Sequence, residues 1–342
     1  MREYAVRDPR GLLSDYGKGA VFDEIQRAPE LLSYLQGEVD ERRKAGRFVL
    51  TGSANFALLQ SVSQSLAGRT GLLHLLPLSL EEVRRFPKPP RDLLGLLWRG
   101  GYPALYDRKV APGDWFAAYV GTYVERDVRQ ILNVTDLGAF QTFLRLCAGR
   151  SAQLVNASSL GADAGITHNT ARAWLTVLEA SYLAYRLPPF HANLNKRLVK
   201  TPKLHFYDSG LLCYLLGITR SEHLREHPLR GAIFESWVVS EIVKARANLG
   251  LAPNLCFFRD RKGREVDAVL ERDGGLVAVE AKSGQTVAAD FFSTLIAFAQ
   301  TLGSRRRASK VTSLVVYGGT QPQRRSEATV VPWSELDALD WH

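Results

Sequence analysis

Two groups of acidic residues in this chain have the types and spacing to do chemistry. The first is Asp23-Glu24, which ends the short apolar run Ala20-Val21-Phe22 and is followed by Ile25-Gln26. An apolar strand ending in Asp-Glu has the form of a Walker B element. Its aspartate holds Mg2+ beside a bound nucleoside triphosphate, and its glutamate polarises the attacking water. The second group is Glu235, Asp267, Glu280 and Lys282. Glu280 and Lys282 stand two apart, so a strand puts both on one face. Asp267 lies in the preceding apolar run, which a hairpin would set beside them. Two such carboxylates can bind Mg2+, with Glu235 on an earlier helix completing the metal site. Lys282 would orient a water or stabilise a phosphorane-like transition state. The competing reading is a sheet with incidental surface charges.

The partner of a Walker B strand is a phosphate loop, G-x-x-x-x-G-K-[ST], whose backbone amides cradle the phosphates. The sequence contains no such motif. Gly11 with Gly17-Lys18 comes nearest, but the spacing is too long and Gly19 stands where the metal-binding hydroxyl belongs. Ser53 and Asn55 end the next apolar run, where nucleotide hydrolases carry a group that senses the γ-phosphate. Arg69, after Leu66-Ala67-Gly68, is placed as a finger that neutralises transition-state charge, or else simply follows a helix cap at Gly68.

The elements that must position these groups alternate in type. Residues 1–90 read as strand, helix, strand, helix, strand: Val21–Ile25, Pro29–Arg43, Arg47–Ser53, Gln60–Leu66 and Leu72–Leu76. That order implies a parallel sheet, here a partial one of the P-loop NTPase kind. Residues 91–140 read as a helical lid punctuated by Gly100-Gly101-Tyr102-Pro103. Residues 141–227 read as a winged helix and connector: helices at Thr142–Ala148 and Ala157–Ala164, a third from His168 to Ala180 capped by Thr167, and a strand at Tyr182–Leu187. The third helix would expose His168, Asn169, Thr170 and Arg172 to nucleic acid over a buried stripe of Trp174, Leu175 and Leu178. Lys196, Arg197 and Lys200, with Lys203 after them, would track phosphates or form a solvated rim. Residues 228–342 read as a last α/β unit, with a helix at Ala232–Ala245 and strands at Leu255–Phe258, Glu265–Leu270, Leu276–Ala281 and Val311–Tyr317. The fold class expected is α/β.

Bulk properties narrow the partners. The net charge is +9, which favours an anionic partner such as nucleic acid. Cys147, Cys213 and Cys256 have no metal spacing and no pairing framework, so a reducing, cytoplasmic setting is expected. No apolar run reaches the ~20 residues of a membrane helix. Among His74, His191, His205, His223 and His227 only the last two have ligand spacing, and all five are read as exposed rather than as zinc ligands.

These residues resemble a prokaryotic family: an AAA-type ATPase domain followed by a domain of unknown function with a winged helix and a restriction-endonuclease-like end. The resemblance runs in order through Val21–Gln26, Leu50–Ser53, Leu66–Arg69, Leu76–Glu82, Tyr123–Asp127, Leu187–Phe190, Tyr207–Leu211, Gly231–Glu235, Arg259-Asp260, Glu265–Asp267 and Glu280–Lys282. It implies ATP and Mg2+ at Asp23, DNA contact in the middle of the chain, and a PD-(D/E)xK-type fold carrying Glu235, Asp267, Glu280 and Lys282. It also implies self-association, since related ATPases assemble as rings. The family's opening strand, phosphate loop and first helix have no counterpart here, and residues 2–16 are similar to the stretch that joins that helix to Walker B. The ATP site is therefore expected to be incomplete. Two alternatives stand beside the ATPase reading: a non-catalytic nucleic-acid binding module, and a Mg2+-dependent DNA nuclease that works without ATP.

Overall fold

The computed structural model describes residues 2–41, 44–52, 66–124, 136–190, 201–272, 274–303 and 310–342, without the side chains of residues 123, 124 and 303. The chain forms two compact units, Met1–Leu73 and His74–His342.

The smaller unit opens with helices α1 (Arg2–Arg7) and α2 (Pro9–Asp15). Asp8 starts α2 by accepting the Gly11 amide at 2.9 Å, with Pro9 in the first turn, where its missing N–H costs nothing. Strands β1 (Ala20–Phe22) and β2 (Phe48–Leu50) pair in parallel, Val21 opposite Val49, and α3 (Leu31–Glu41) connects them. That is the βαβ connection the alternation of elements calls for. Leu31, Leu32 and Leu35 recur at helical spacing and bury against Leu12, Leu13 and Ile25. The expected third strand, Leu72–Leu76, does not form. Residues 71–76 are irregular, and Leu72, Leu73 and Leu75 are exposed. An apolar run becomes a strand only where a neighbouring edge pairs with it, and among the described residues none does. The expected helix over Gln60–Leu66 falls outside the described residues, apart from Leu66.

The larger unit begins with α4 (Leu80–Arg84), fixed by a reciprocal capping box between Ser79 and Glu82. Three short helices follow: α5 (Leu93–Arg99), α6 (Ala104–Asp107) and α7 (Pro112–Tyr119). Next come α8 (Leu137–Gly149), β3 (Gln153–Leu154), α9 (Ala157–Ala164), α10 (His168–Ala180), β4 (Ala184–Leu187) and β5 (Lys203–Phe206). The three strands form an antiparallel sheet with β5 in the middle. Helix α10 has the limits its sequence suggests. The Thr167 hydroxyl accepts the Thr170 amide at 3.1 Å, and Ala171, Trp174, Leu175, Val177 and Leu178 form its buried face.

Helix α11 (Ser209–Leu215) leads to the long helix α12 (Arg230–Asn248). The chain then builds a six-stranded sheet from β6 (Leu255–Arg259), β7 (Glu265–Arg272), β8 (Gly275–Lys282), β9 (Lys310–Tyr317), β10 (Gln323–Arg324) and β11 (Thr329–Pro332), in the order β10-β11-β9-β8-β7-β6. Strands β6, β7 and β8 are antiparallel neighbours, while β9 runs parallel to β8 with α13 (Ser293–Gly303) between them. Helix α12 packs against both β5 and β8 and is buried on most faces. It carries small polar residues toward the three-stranded sheet: the Ser240 hydroxyl donates to the Phe206 carbonyl at 2.8 Å, and Ser236 meets both His205 and Ser151. The α/β class expected from the sequence is the class observed.

Candidate functional site

Helix α12 and strands β5, β7 and β8 converge on one charged centre. On β8, Glu280 and Lys282 share a face as period two requires, and their side chains meet, Lys282 Nζ to Glu280 Oε1 at 2.6 Å. Ala268 pairs with Val279, which places Asp267 beside Glu280 one step further along the hairpin. The Ala281 amide donates to Asp267 Oδ2 at 2.8 Å. Glu235 reaches the same place from α12. Glu265, two residues before Asp267 on β7, joins it, so that Glu235, Glu265 and Asp267 offer oxygens all within 4.8 Å of one another. Glu280 stands beside this trio with both oxygens engaged, Oε1 by Lys282 and Oε2 by the Thr294 hydroxyl at 3.2 Å.

The cation among these carboxylates is Lys203, at the start of β5. It is 1 % exposed. Its ammonium lies 2.6 Å from Glu235 Oε1 and 3.8 Å from Asp267 Oδ1, also pairs with Glu265, and sits 5.6 Å from the centre of the Phe257 ring. The sequence reading of Lys203 as a phosphate-tracking surface residue is thus corrected: its strand is covered on both faces, so the ammonium turns inward to the carboxylates. Burial alone would lower its pKa, but Glu235, Asp267 and Glu265 together carry it above the ordinary lysine value. Burial raises the carboxyls of Glu235 and Asp267. The Glu280 carboxyl is pushed up to about 8 by burial and by Asp267, against the pull of Lys282.

Carboxylates at this spacing are donors of the kind Mg2+ takes. They do not fit the ion as folded, because the Lys203 ammonium already stands at their meeting point.

Beside the centre, His205 is fully buried, contrary to the exposed setting expected of it. Its Nδ1 lies 3.1 Å from Ser236 Oγ, its ring stacks on Tyr185, and its Nε2 has no partner among the described residues. Burial, and then Lys203, hold its pKa well below the ordinary histidine value. The unfolded chain therefore binds a proton near pH 6.5 that the folded chain refuses, and stability is lost as pH falls below that point. The loss attributable to His205 should show between pH 6.5 and pH 5. Urea titrations at the two pH values should show this slope, and His205→Phe should flatten it.

The other sequence-designated residues lie elsewhere. In the smaller unit, Asp23 follows β1 and accepts a hydrogen bond from the Thr51 hydroxyl at the end of β2. Glu24 has a left-handed backbone (φ 54°) and its carboxylate accepts from the Gln26 side chain. Arg69 makes a two-point ion pair with Asp40, Nε to Oδ1 at 2.6 Å and Nη2 to Oδ2 at 3.0 Å. Ser53 and Asn55 lie outside the described residues. In the larger unit His168, Asn169 and Arg172 are exposed on α10, while Thr170 is half-buried with its hydroxyl 2.8 Å from that of Thr167. Lys196, Arg197 and Lys200 lie outside the described residues. Sequence reasoning missed Glu265 and Lys203 as members of the centre.

Comparison with known proteins matches three stretches of the chain. Residues 3–84 match the family described as AAA domain, residues 90–222 a domain of unknown function, DUF8612, and residues 230–336 a further one, DUF4143. Two relatives, the uncharacterized proteins Mb2031c of Mycobacterium bovis and Rv2008c of Mycobacterium tuberculosis, are each 31% identical over 284 residues, which is 82% of this chain. The matched stretch spans 62% of their length. The crystal structure of protein VC1899 from Vibrio cholerae aligns with 98% of this chain and 78% of its own, at 12% identity and a TM-score of 0.24, too low to carry an argument. No described helix is long and apolar enough to cross a membrane. Residues 3–84 thus resemble an AAA domain and residues 230–336 a DUF4143 domain, a pair of matches that supports likeness to AAA-type ATPases.

Proposed function

We propose that this AAA-type ATPase-like protein binds DNA through residues 137–206, acting as a winged helix, and that its C-terminal unit is a PD-(D/E)xK-like scaffold which supports binding rather than cutting. One observation carries the reading. Helix α10 buries Trp174, Leu175 and Leu178 while holding His168, Asn169 and Arg172 in solvent at its N-terminal half. A recognition helix contacts base edges and phosphates with those positions. The element order helix, strand, helix, helix, strand, strand supports it, with the last strand central in the sheet. The net charge of +9 is of the sign DNA requires. Lys196, Arg197 and Lys200 fall between β4 and β5 in the sequence.

AAA-type ATPases use ATP with Mg2+, the ion neutralising charge as the γ-phosphate leaves. Asp23, exposed beside the Thr51 hydroxyl, is the residue that would hold the ion, with Glu24 turned toward Gln26. Arg69 would have to leave Asp40 to serve as a finger. With no phosphate loop in the sequence, these residues supply one side of a nucleotide site. The ion pairs of Lys203 favour the non-catalytic reading of the C-terminal unit over the nuclease reading. A cytoplasmic setting and self-association complete the proposal.

The test is fluorescence anisotropy of a labelled duplex. Affinity should fall steeply with salt, and Arg172→Ala should weaken binding by about 1–3 kcal/mol, roughly five- to 150-fold. Asn169→Ala should act in the same direction. Binding unchanged by both substitutions removes α10 as the reading element.

A further inference from the structure

The carboxylate centre raises a question that DNA binding does not answer: what neutralises it. Glu235, Glu265, Asp267 and Glu280 bring four formal negative charges to one place. Direct ion pairs to them come from Lys203, Lys282 and Arg259, the last at 3.1 Å from Glu265 Oε2. The centre is therefore close to balanced by the protein's own side chains. Adding a divalent ion would drive it positive.

We propose that Lys203 is the resident cation of this centre and that it excludes divalent metal ions such as Mg2+ and Mn2+ from the carboxylates of Glu235, Glu265 and Asp267. Three features make the exclusion stable. First, the ammonium lies where the three carboxylates converge, so an incoming ion meets a like charge at contact range. Second, the side chain has no easy retreat. Strand β5 is central in its sheet, and Lys203 is paired across both neighbours, with Leu154 on one side and Leu187 on the other. Shifting its backbone would break both pairings, and withdrawing the ammonium alone would bury it unpaired. Third, Mg2+ keeps several of its waters when it binds protein. At this site the ion's place is taken by a side chain 1 % exposed, against the ring of Phe257.

The lysine comes from a different sheet than two of the carboxylates it serves. Glu265 and Asp267 belong to the six-stranded sheet, Glu235 to the helix packed between the two sheets, and Lys203 to the three-stranded sheet. The ion pairs therefore also fasten the two sheets to each other. This separates Lys203 from Lys282, which stands on the same strand as its partner Glu280 and is partly open to solvent. The inference holds whether or not α10 reads DNA.

The experiment is a Mn2+ titration of the full chain, followed by calorimetry and by the electron paramagnetic resonance signal of free Mn2+. It uses an Asp23→Ala background, so that the smaller unit's carboxylate does not contribute. The expected result is no saturable binding in that protein. Adding Lys203→Ala should bring saturable Mn2+ binding, at least about tenfold tighter than any weak residual binding by the parent, and it should be lost again when Asp267→Asn is added. Saturable Mn2+ binding by the Lys203-containing protein that disappears with Asp267→Asn would overturn the proposal. So would a Lys203→Ala protein with the parent's circular dichroism and no gain in Mn2+ affinity. If Lys203→Ala fails to fold, the Lys203-containing protein decides alone: silence supports the exclusion, and Asp267-dependent binding refutes it.

Discussion

Replacing Lys203 with methionine should destabilise the larger unit by about 3–5 kcal/mol, a fall in Tm on the order of 10 °C. The size follows from what stays behind. Methionine fills much of the same volume, so the packing loss is small. The carboxylates of Glu235, Glu265 and Asp267 are then buried together with no ammonium among them. Breaking a buried ion pair from one side costs far more than never having built it, because an uncompensated charge remains. The deficit should grow as pH rises. Burial already raises the Glu235 and Asp267 carboxyls above their ordinary values, and loss of Lys203 raises them further. Carboxyls with raised folded-state pKa values stabilise the fold below the unfolded value and lose that contribution as pH climbs through the folded one. The Lys203→Met gap should therefore be wider at pH 8 than at pH 5. Adding Glu235→Gln should recover part of the loss, the coupling expected of residues in contact. Tryptophan fluorescence in urea reports this unit alone, since all 6 tryptophans lie between Trp98 and Trp341.

The second large effect is expected at Asp208, which is 1 % exposed. Its carboxylate caps α11 by accepting the Leu211 amide at 2.6 Å and also accepts the Gly101 amide at 2.6 Å. It thereby ties the turn after α5 to the start of α11. Gly100 has φ 74°, and a Cβ there would stand 2.5 Å from Asp208 Oδ1, so the turn has room for hydrogen alone. Asp208→Ala strands two buried amides at roughly 1–3 kcal/mol each, for a total near 3–4 kcal/mol. Asp208→Asn keeps one accepting oxygen and should recover about half. Denaturant midpoints of the two variants check the ranking; equal losses would mean that the two amide bonds are not the source.

Much of this arrangement was legible in the sequence, for identifiable reasons. Helix α10 was readable to the residue because Thr167 caps it and Gly165 breaks the chain before it. The β7–β8 hairpin was readable because its apolar runs are separated by Asp273-Gly274-Gly275. The period-two rule that joined Glu280 to Lys282 also joins Glu265 to Asp267, and applied there it would have added the missing carboxylate. Lys203 was harder. It follows Lys196, Arg197 and Lys200 closely enough to look like the end of a basic run. Its role appears only when Lys203-Leu204-His205-Phe206 is seen as a strand buried along its whole length, which requires knowing what covers it. A lysine in such a strand must find carboxylates, and the nearest in sequence of those it pairs with is 32 residues away. The leucine run at 72–76 failed for the opposite reason. Apolar composition alone cannot supply a pairing edge.

The most direct test of DNA binding without cutting is a supercoiled plasmid incubated with the protein and Mg2+ or Mn2+, then run on a gel before and after the protein is stripped off. The account predicts a salt-sensitive shift before stripping and fully supercoiled plasmid after it. Nicked or linear plasmid, abolished by Asp267→Ala and by Glu280→Ala, would contradict it.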